Sequence, residues 1–295
     1  MSAIMQQTIS LTRLDDETFP APLRQIAGPP SQLYVRGQAL GGSMARPRLA
    51  IVGSRKVSAY GKAVTAKLAA ELARLGIVIV SGLAFGVDAI AHRAALEAGG
   101  TTWAVLACGV DRVYPASHQQ LADAIVRQGG TILSEYPPGS VSYKQNFIAR
   151  NRLVSGLSDG VLITEAALKS GSLHTARFAL EQGREVLAVP GNITSETSVG
   201  TNNLIKSGAA PVTCAEDVLH VFGWERLAQD LKPFVPRGST AEEEALITLV
   251  AAGLSDGGEL LVKSQLPINI FNQTLTMLEI TGKLRALGNN QWALQ

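Results

Sequence analysis

Four stretches of this 295-residue chain carry residue types that could hold a polyanion. Gly53-Ser54-Arg55-Lys56 ends a short apolar run. Lys144-Gln145-Asn146-Phe147-Ile148-Ala149-Arg150-Asn151-Arg152 is a cationic segment with one aromatic. Lys169-Ser170-Gly171-Ser172 follows a second apolar run, and Val189-Pro190-Gly191-Asn192 closes a third. A Gly/Ser turn that ends a strand and precedes a helix aims backbone N–H groups and the helix dipole at one point, where an anion could sit. Two such turns, at Gly53 and Gly171, can hold adjacent phosphates. In the structural alternative, Gly53 only permits a tight turn and Arg55 pairs with a carboxylate.

On the cationic segment, helical spacing places Phe147, Arg150, Asn151 and Val154 on one face. An aromatic beside a guanidinium and an amide can stack one base while holding its backbone, a combination suited to single-stranded nucleic acid. Core packing is the competing role for Phe147. Arg152 projects about 200° from Arg150 at ~3.6 residues per turn, so the two do not grip one phosphate and either could be a structural salt bridge.

Hydrolytic and redox chemistry find less support. Glu165, at a strand end near the second turn, could act as a general acid or base. Rossmann-like nucleotide hydrolases of the cytokinin-activating phosphoribohydrolase type are the alternative reading. They place a Glu on the helix after a Pro-Gly-Gly-x-Gly-Thr turn, whereas no carboxylate follows Lys169 here until Glu181. Ser81-Gly82 stands where a dehydrogenase places the acidic residue that holds ribose hydroxyls, and His92 lies in an Ala-rich helical pattern. No catalytic residue and no cofactor is assigned. Cys108 and Cys214 have no C-x-x-C spacing, which argues against a structural metal and for a reducing compartment.

Short apolar runs alternate with helical patterns through the centre of the chain. Strands are predicted at 49–53, 77–80, 102–107, 131–134, 160–164 and 185–189, with a helix between the first two bearing Val64, Leu68, Leu72 and Leu75 on one face and stopped at Gly76. Runs that are apolar throughout suit strands covered on both faces, so the expected fold is α/β, a doubly wound and mostly parallel sheet, with ligands beyond the carboxyl ends of its strands. Residues 1–45, Pro-rich and short, are expected to form a strap on the core. Residues 46–222 are the Rossmann-like domain, 223–240 a linker, and 241–295 a winged-helix module. In that module Ile268, Phe271, Leu275 and Leu278 form the apolar face of the last helix, and a hairpin turns at Gly-Asn-Asn.

The formal net charge is +2, and it is distributed unevenly. Residues 46–222 hold 17 Lys/Arg against 13 Asp/Glu, whereas 241–295 hold 3 against 6. A polyanion is therefore expected on the central region and not on the C-terminal module, whose last helix offers Asn269, Asn272, Gln273, Thr276 and Glu279 away from its apolar face. No leader and no apolar run near the ~18 residues of a membrane span is found, which suits a soluble cytoplasmic protein.

The ordered motifs above, with Ser81-Gly82-Leu83-Ala84-Phe85-Gly86-Val87-Asp88, Gly109-Val110-Asp111-Arg112-Val113-Tyr114-Pro115, Leu133-Ser134-Glu135-Tyr136-Pro137 and Gly183-Arg184-Glu185-Val186, resemble the DNA-processing protein A family (DprA/Smf). The resemblance extends from Phe19 onward, without the family's helical N-terminal module and with Ile148 where Pro commonly precedes the Arg-Asn-Arg run. It implies an extended Rossmann fold, a homodimer, single-stranded DNA binding in natural transformation, hand-over to the RecA recombinase, and no turnover. The candidate DNA-binding set is Gly53, Ser54, Arg55, Lys56, Lys144, Asn146, Phe147, Arg150, Asn151, Arg152, Lys169, Ser170, Gly171, Ser172 and Asn192.

Overall fold

The computed structural model describes residues 9–40, 42–229 and 238–294. They fall into two compact units, one ending at Gln229 and one holding the described residues from Gly238 onward. Of the expected linker, 223–229 belongs to the first unit, and 230–237 lies outside the described residues, as do 1–8 and 41 of the expected strap.

The first unit is ordered β1 (Ile9–Arg13), α1 (Ala21–Arg24), β2 (Gln32–Gly37), β3 (Arg48–Val52), α2 (Ala59–Arg74), β4 (Val78–Ser81), α3 (Val87–Glu97), β5 (Thr102–Val105), α4 (Gln119–Arg127), β6 (Thr131–Ser134), α5 (Lys144–Gly156), β7 (Gly160–Ile163), α6 (Ser172–Glu181), β8 (Glu185–Ala188), α7 (Val199–Lys206), β9 (Ala210–Pro211), α8 (Ala215–Phe222) and α9 (Arg226–Gln229). Its nine strands lie in the order β1-β2-β6-β5-β4-β3-β7-β8-β9. Every pair from β6 to β9 is parallel, and β2 and β1 extend the β6 edge antiparallel. The chain therefore builds outward from β3 through β4, β5 and β6, then returns to lay β7 on the other side of β3. That reversal makes the carboxyl ends of β3 and β7 the topological switch point where ligands enter such sheets.

Every residue of β3 through β7 is buried, which explains their mainly apolar sequences, polar only at strand ends such as Arg48, Ser81 and Thr102. Successive side chains alternate between faces: Ala50 and Val52 pack with Leu23, Leu153, Val154 and Ala176 of α1, α5 and α6, and Leu49 and Ile51 with Leu68, Leu72 and Ala91 of α2 and α3. Each buried leucine there contributes roughly 1.5–3 kcal/mol. Residues 9–37, where a strap is expected, instead add two strands to the sheet edge, with Tyr34 paired to Ser134 and Val35 to Leu133.

The second unit consists of α10 (Ala241–Ala251), α11 (Gly257–Ser264), α12 (Ile268–Ile280) and the hairpin β10 (Leu284–Gly288) and β11 (Gln291–Leu294). Phe271, Leu275 and Leu278 bury against Leu246, Ile247, Leu260 and Leu284. Ile268, assigned by spacing to the same face, is 65% exposed at the start of α12. Asn289 and Asn290 turn the hairpin with φ of 49° and 60°, a conformation Asn adopts more readily than most residues. Among the described residues, no helix is long and apolar enough to cross a membrane.

Candidate nucleic-acid interface

A cleft of about 860 Å³ opens at the switch point, walled by the turn after β3, the first turns of α5 and the turn that opens α6. The β3 turn is packed tightly from beneath. A Cβ on Gly53 would stand 2.7 Å from both the Glu165 carbonyl oxygen and Val87 Cγ2, so glycine is needed for close approach. Its hydrogen bonding differs from the expected anion cradle. Ser54 N–H donates to the Glu165 carbonyl at 2.8 Å and Lys56 N–H to Ser54 Oγ at 3.1 Å. Helix α2 does not begin until Ala59, capped by Ser58, whose own N–H donates to Glu165 Oε2 at 2.9 Å. The turn's contribution to the cleft is therefore side-chain charge: Arg55 and Lys56 are exposed and line it.

Helix α5 supplies the second wall. Phe147 is half-buried and does not enter the core: its ring lies 5.2 Å from that of Tyr114 at 57°, and the Arg55 guanidinium carbon sits 5.4 Å from its centroid. Cation and aromatic thus form one step on the cleft rim. One turn on, Arg150 runs into the protein. Its guanidinium donates to the carbonyls of Gly82, at 2.6 Å, and of Val105, and a Cβ on Gly82 would stand 2.5 Å from its Cζ. Asp88 lies nearby and accepts from the Gly82 N–H at 3.0 Å. Burial pushes the Asp88 carboxyl above its ordinary range against the pull of Arg150, and burial lowers Arg150. Held by two backbone carbonyls, the Arg150 guanidinium forms the cleft floor and is not a mobile phosphate grip.

The third wall is the start of α6. Gly171 occupies the N-cap with φ −63°, no side chain caps the helix, and its first turn holds no acidic residue. Ser170 Oγ and Ser172 Oγ are 2.8 Å apart, and Asn151 Nδ2 reaches the Gly171 carbonyl at 3.4 Å. A Cβ on Gly171 would meet nothing within 4 Å. Lys144 and Lys169 are exposed on either side of the cleft. Besides the buried Arg150 and Asp88, the cleft is lined by Arg55, Lys56, Lys144 and Lys169 against one carboxylate, Glu196, and the three lysines have no ion pair among the described residues. Such a surface attracts a polyanion.

Twelve of the fifteen candidate residues line this cleft. The other three do not. Asn146 is buried, with its amide donating to the Ala107 carbonyl at 3.2 Å. Arg152 pairs with Glu135 at 2.5 Å on the far side of α5, as its angular offset from Arg150 requires. Asn192 lines a separate cavity. Spacing does not single out Tyr114, His174 or Thr197, all lining the cleft; Tyr114 stands only within a motif of the resemblance, and its 51% exposure is visible only in three dimensions. Glu165 is 2% exposed and does not line the cleft, so the hydrolase alternative loses its carboxylate to the cap of α2. Glu181 pairs with Arg177 at 3.2 Å near the far end of α6. Burial drives the His92 pKa down to about 3, keeping that ring neutral.

Comparison with known proteins places these features in context. The family model described as DNA recombination-mediator protein A matches residues 10–223, a span confined to the first unit. The chain is 41% identical over 234 residues to DNA processing protein DprA of Bacillus subtilis, covering 79% of this chain and 78% of that one. It is 45% identical over 205 residues to Protein Smf of Escherichia coli, covering 70% of this chain and 54% of that protein. Among solved structures it is similar to DNA processing protein A from Streptococcus pneumoniae, with TM-score 0.67 and 40% identity over 72% of this chain and 74% of that one. It is also similar to DNA processing protein A from Helicobacter pylori, in a structure described as showing its single-stranded DNA binding mode. There the TM-score is 0.66 and the identity 35%, over 76% of this chain and 99% of that one.

Proposed function

The chain belongs to the DNA recombination-mediator protein A family, and from that membership we propose that it is a single-stranded DNA-binding mediator of natural transformation, protecting incoming strands and passing them to RecA without chemical turnover. The observation that carries the DNA-binding part is the cleft at the β3/β7 switch point, where four cations surround an aromatic step formed by Phe147 and Tyr114. Phosphates are held by Arg55, Lys56, Lys144 and Lys169, and a base stacks on Phe147. A base inside a duplex reaches that ring only after unstacking, which costs a few kcal/mol, so the site favours single strands.

The proposal places the protein in the cytoplasm as a homodimer and reads the second unit as a winged helix serving a protein partner. Support for the last point is chemical. The exposed side of α12 presents Asn269, Asn272, Gln273, Thr276 and Glu279, and Lys283 is tied to Glu243 at 2.7 Å. Fluorescence anisotropy with a labelled deoxythymidine oligomer, the same length of duplex, and AMP at matched salt tests the function. Tight binding of the single strand, weaker binding of the duplex and none of AMP is expected. Equal affinity for both DNA forms would reduce the site to a charged surface, and preferential AMP binding would overturn the proposal.

A further inference from the structure

Asn192, a DNA-site candidate outside the cleft, lines a second cavity of about 520 Å³ between the start of α2 and the loop after β8, a volume in the range of small-molecule sites. Its walls are held rigidly. The Tyr60 ring, 49% exposed, is tethered by its hydroxyl, which donates to the Pro190 carbonyl at 2.7 Å. The same loop is fixed at its next residue, where the Asn202 amide accepts from Gly191 N–H and donates to the Gly191 carbonyl, both at 3.1 Å. An aromatic face already fixed in position loses little conformational freedom when a ligand stacks on it.

The chemistry of the walls excludes a phosphate. No Lys or Arg lines the cavity. The end of α2 that would attract an anion is already occupied by Glu165, whose Oε2 takes the Ser58 N–H and whose buried Oε1 has no partner; a second anion there would be repelled. A neutral, planar ligand fits, one that stacks on Tyr60 and Pro190. Asn192 adds polar recognition. Its Oδ1 accepts from the backbone N–H and the hydroxyl of Thr194, which fixes the amide orientation and leaves its NH₂ group to donate to a ring nitrogen or carbonyl.

The two cavities adjoin. Both are bordered by residues 54–60 and by the loop 190–198: Arg55, Lys56 and Thr197 face the cleft, whereas Ser58, Tyr60 and Ser198 face the second cavity. A strand whose phosphates lie along Arg55 and Lys56 therefore passes its next residue directly to Tyr60. We propose that this second cavity is a nucleobase subsite, in which Tyr60 stacks and Asn192 hydrogen-bonds one base of a single strand anchored in the cleft. This inference rests on the single-stranded DNA reading above.

The test uses the full chain, a deoxythymidine oligomer and its 5-iodouracil-substituted counterpart. Anisotropy with the first should show Tyr60→Ala weakening binding about fivefold or more, as expected for loss of one stacked base, with Tyr60→Phe, which keeps the ring but loses its tether, and Asn192→Ala between it and wild type. Irradiation of the second should give an adduct on Tyr60. Wild-type binding that depends on Arg55 but is unchanged in both Tyr60→Ala and Asn192→Ala, with adducts confined to Phe147 or Tyr114, would overturn the subsite and leave the cleft standing. Absence of single-strand binding by the wild type would instead remove the functional reading, and the subsite with it.

Discussion

The turn at 53–56 and the turn at 170–172 use the same small residues at the ends of adjacent strands, β3 and β7, and both border one cleft. Beneath Gly53 lie the Glu165 carbonyl and Val87, at distances no Cβ tolerates, and the Ser54 and Lys56 N–H groups are bonded within the protein. Around Gly171 there is open space, and the helix it precedes has no side-chain cap. The first turn is a structural junction that carries two exposed cations; the second borders the cleft with free space at its glycine, although the Ser170, Leu173 and His174 N–H groups donate to the Ala167, Ser170 and Gly171 carbonyls. A Gly/Ser turn at a strand end is thus not one kind of site. What its glycine is near decides whether it builds the fold or faces the cleft.

The largest effect that separates the turns is on stability. Gly53→Ala must displace a backbone carbonyl or Val87, and overpacking of this kind costs about 1–3 kcal/mol. A urea titration should show a lower midpoint with an unchanged slope. A midpoint equal to wild type would mean the junction yields easily, and the contrast between the turns would fail.

Next in size is the charge that the first turn carries. Arg55→Ala should weaken single-stranded DNA binding by roughly 1–3 kcal/mol, the range for a charge-assisted hydrogen bond. It should also make the dependence of log affinity on log salt shallower by about 0.7 for each phosphate that is no longer neutralised. Phe147 would lose its cation neighbour at the same time. A folded variant with unchanged affinity and salt slope would remove Arg55 from the site.

How much of this could be read from residues alone depends on where each constraint originates. Strands β3 through β8 are legible because burial on both faces demands mainly apolar runs, even where an end is polar, as at Arg48 and Glu185. Strands β1 and β2 are not, since their pairing is created by the free edge of β6 and their neighbours are Pro20, Pro22, Pro29 and Pro30. Helical spacing correctly separates Arg152 from Arg150. It does not reveal that the missing side chain of Gly82 opens a channel into which the Arg150 guanidinium passes, turning an apparent surface cation into floor. The distance from Gly53 to the start of α2 was likewise hidden, because the cap at Ser58 depends on Glu165, 107 residues further along the chain.

A smaller effect is expected at the second turn. A methyl at Gly171 meets no protein atom within 4 Å, and its φ of −63° is accessible to alanine. The preference for glycine over alanine at an N-cap and the reduced freedom of the unfolded chain act in opposite directions. Stability of Gly171→Ala should therefore stay within about 0.5 kcal/mol of wild type. Because the methyl projects at the cleft, single-stranded DNA should bind a few-fold more weakly, by about 1 kcal/mol or less. A fall in the urea midpoint comparable to that of Gly53→Ala would make the two turns alike and break the comparison.

The smallest effect should come from removing the second unit altogether. If the two turns and α5 hold the DNA, residues 1–229 suffice, and the described residues among them form a compact unit with its own core. The second unit offers little to a polyanion: residues 241–295 hold 3 Lys/Arg against 6 Asp/Glu, Lys283 is tied to Glu243 and Ser239, and the exposed polar side chains of α12 include no cation. A reader of DNA by its helix would present Lys or Arg there to phosphates and base edges; on the hairpin the exposed Arg285 leaves room for one weak backbone contact. Titrating single-stranded DNA into the 1–229 fragment and the full chain at two salt concentrations should give equal affinities and equal salt slopes, since the slope counts phosphates neutralised. A folded fragment that binds tenfold more weakly, with a shallower slope, would place phosphate-binding cations on the second unit; an equal slope with weaker binding would point to uncharged groups there instead.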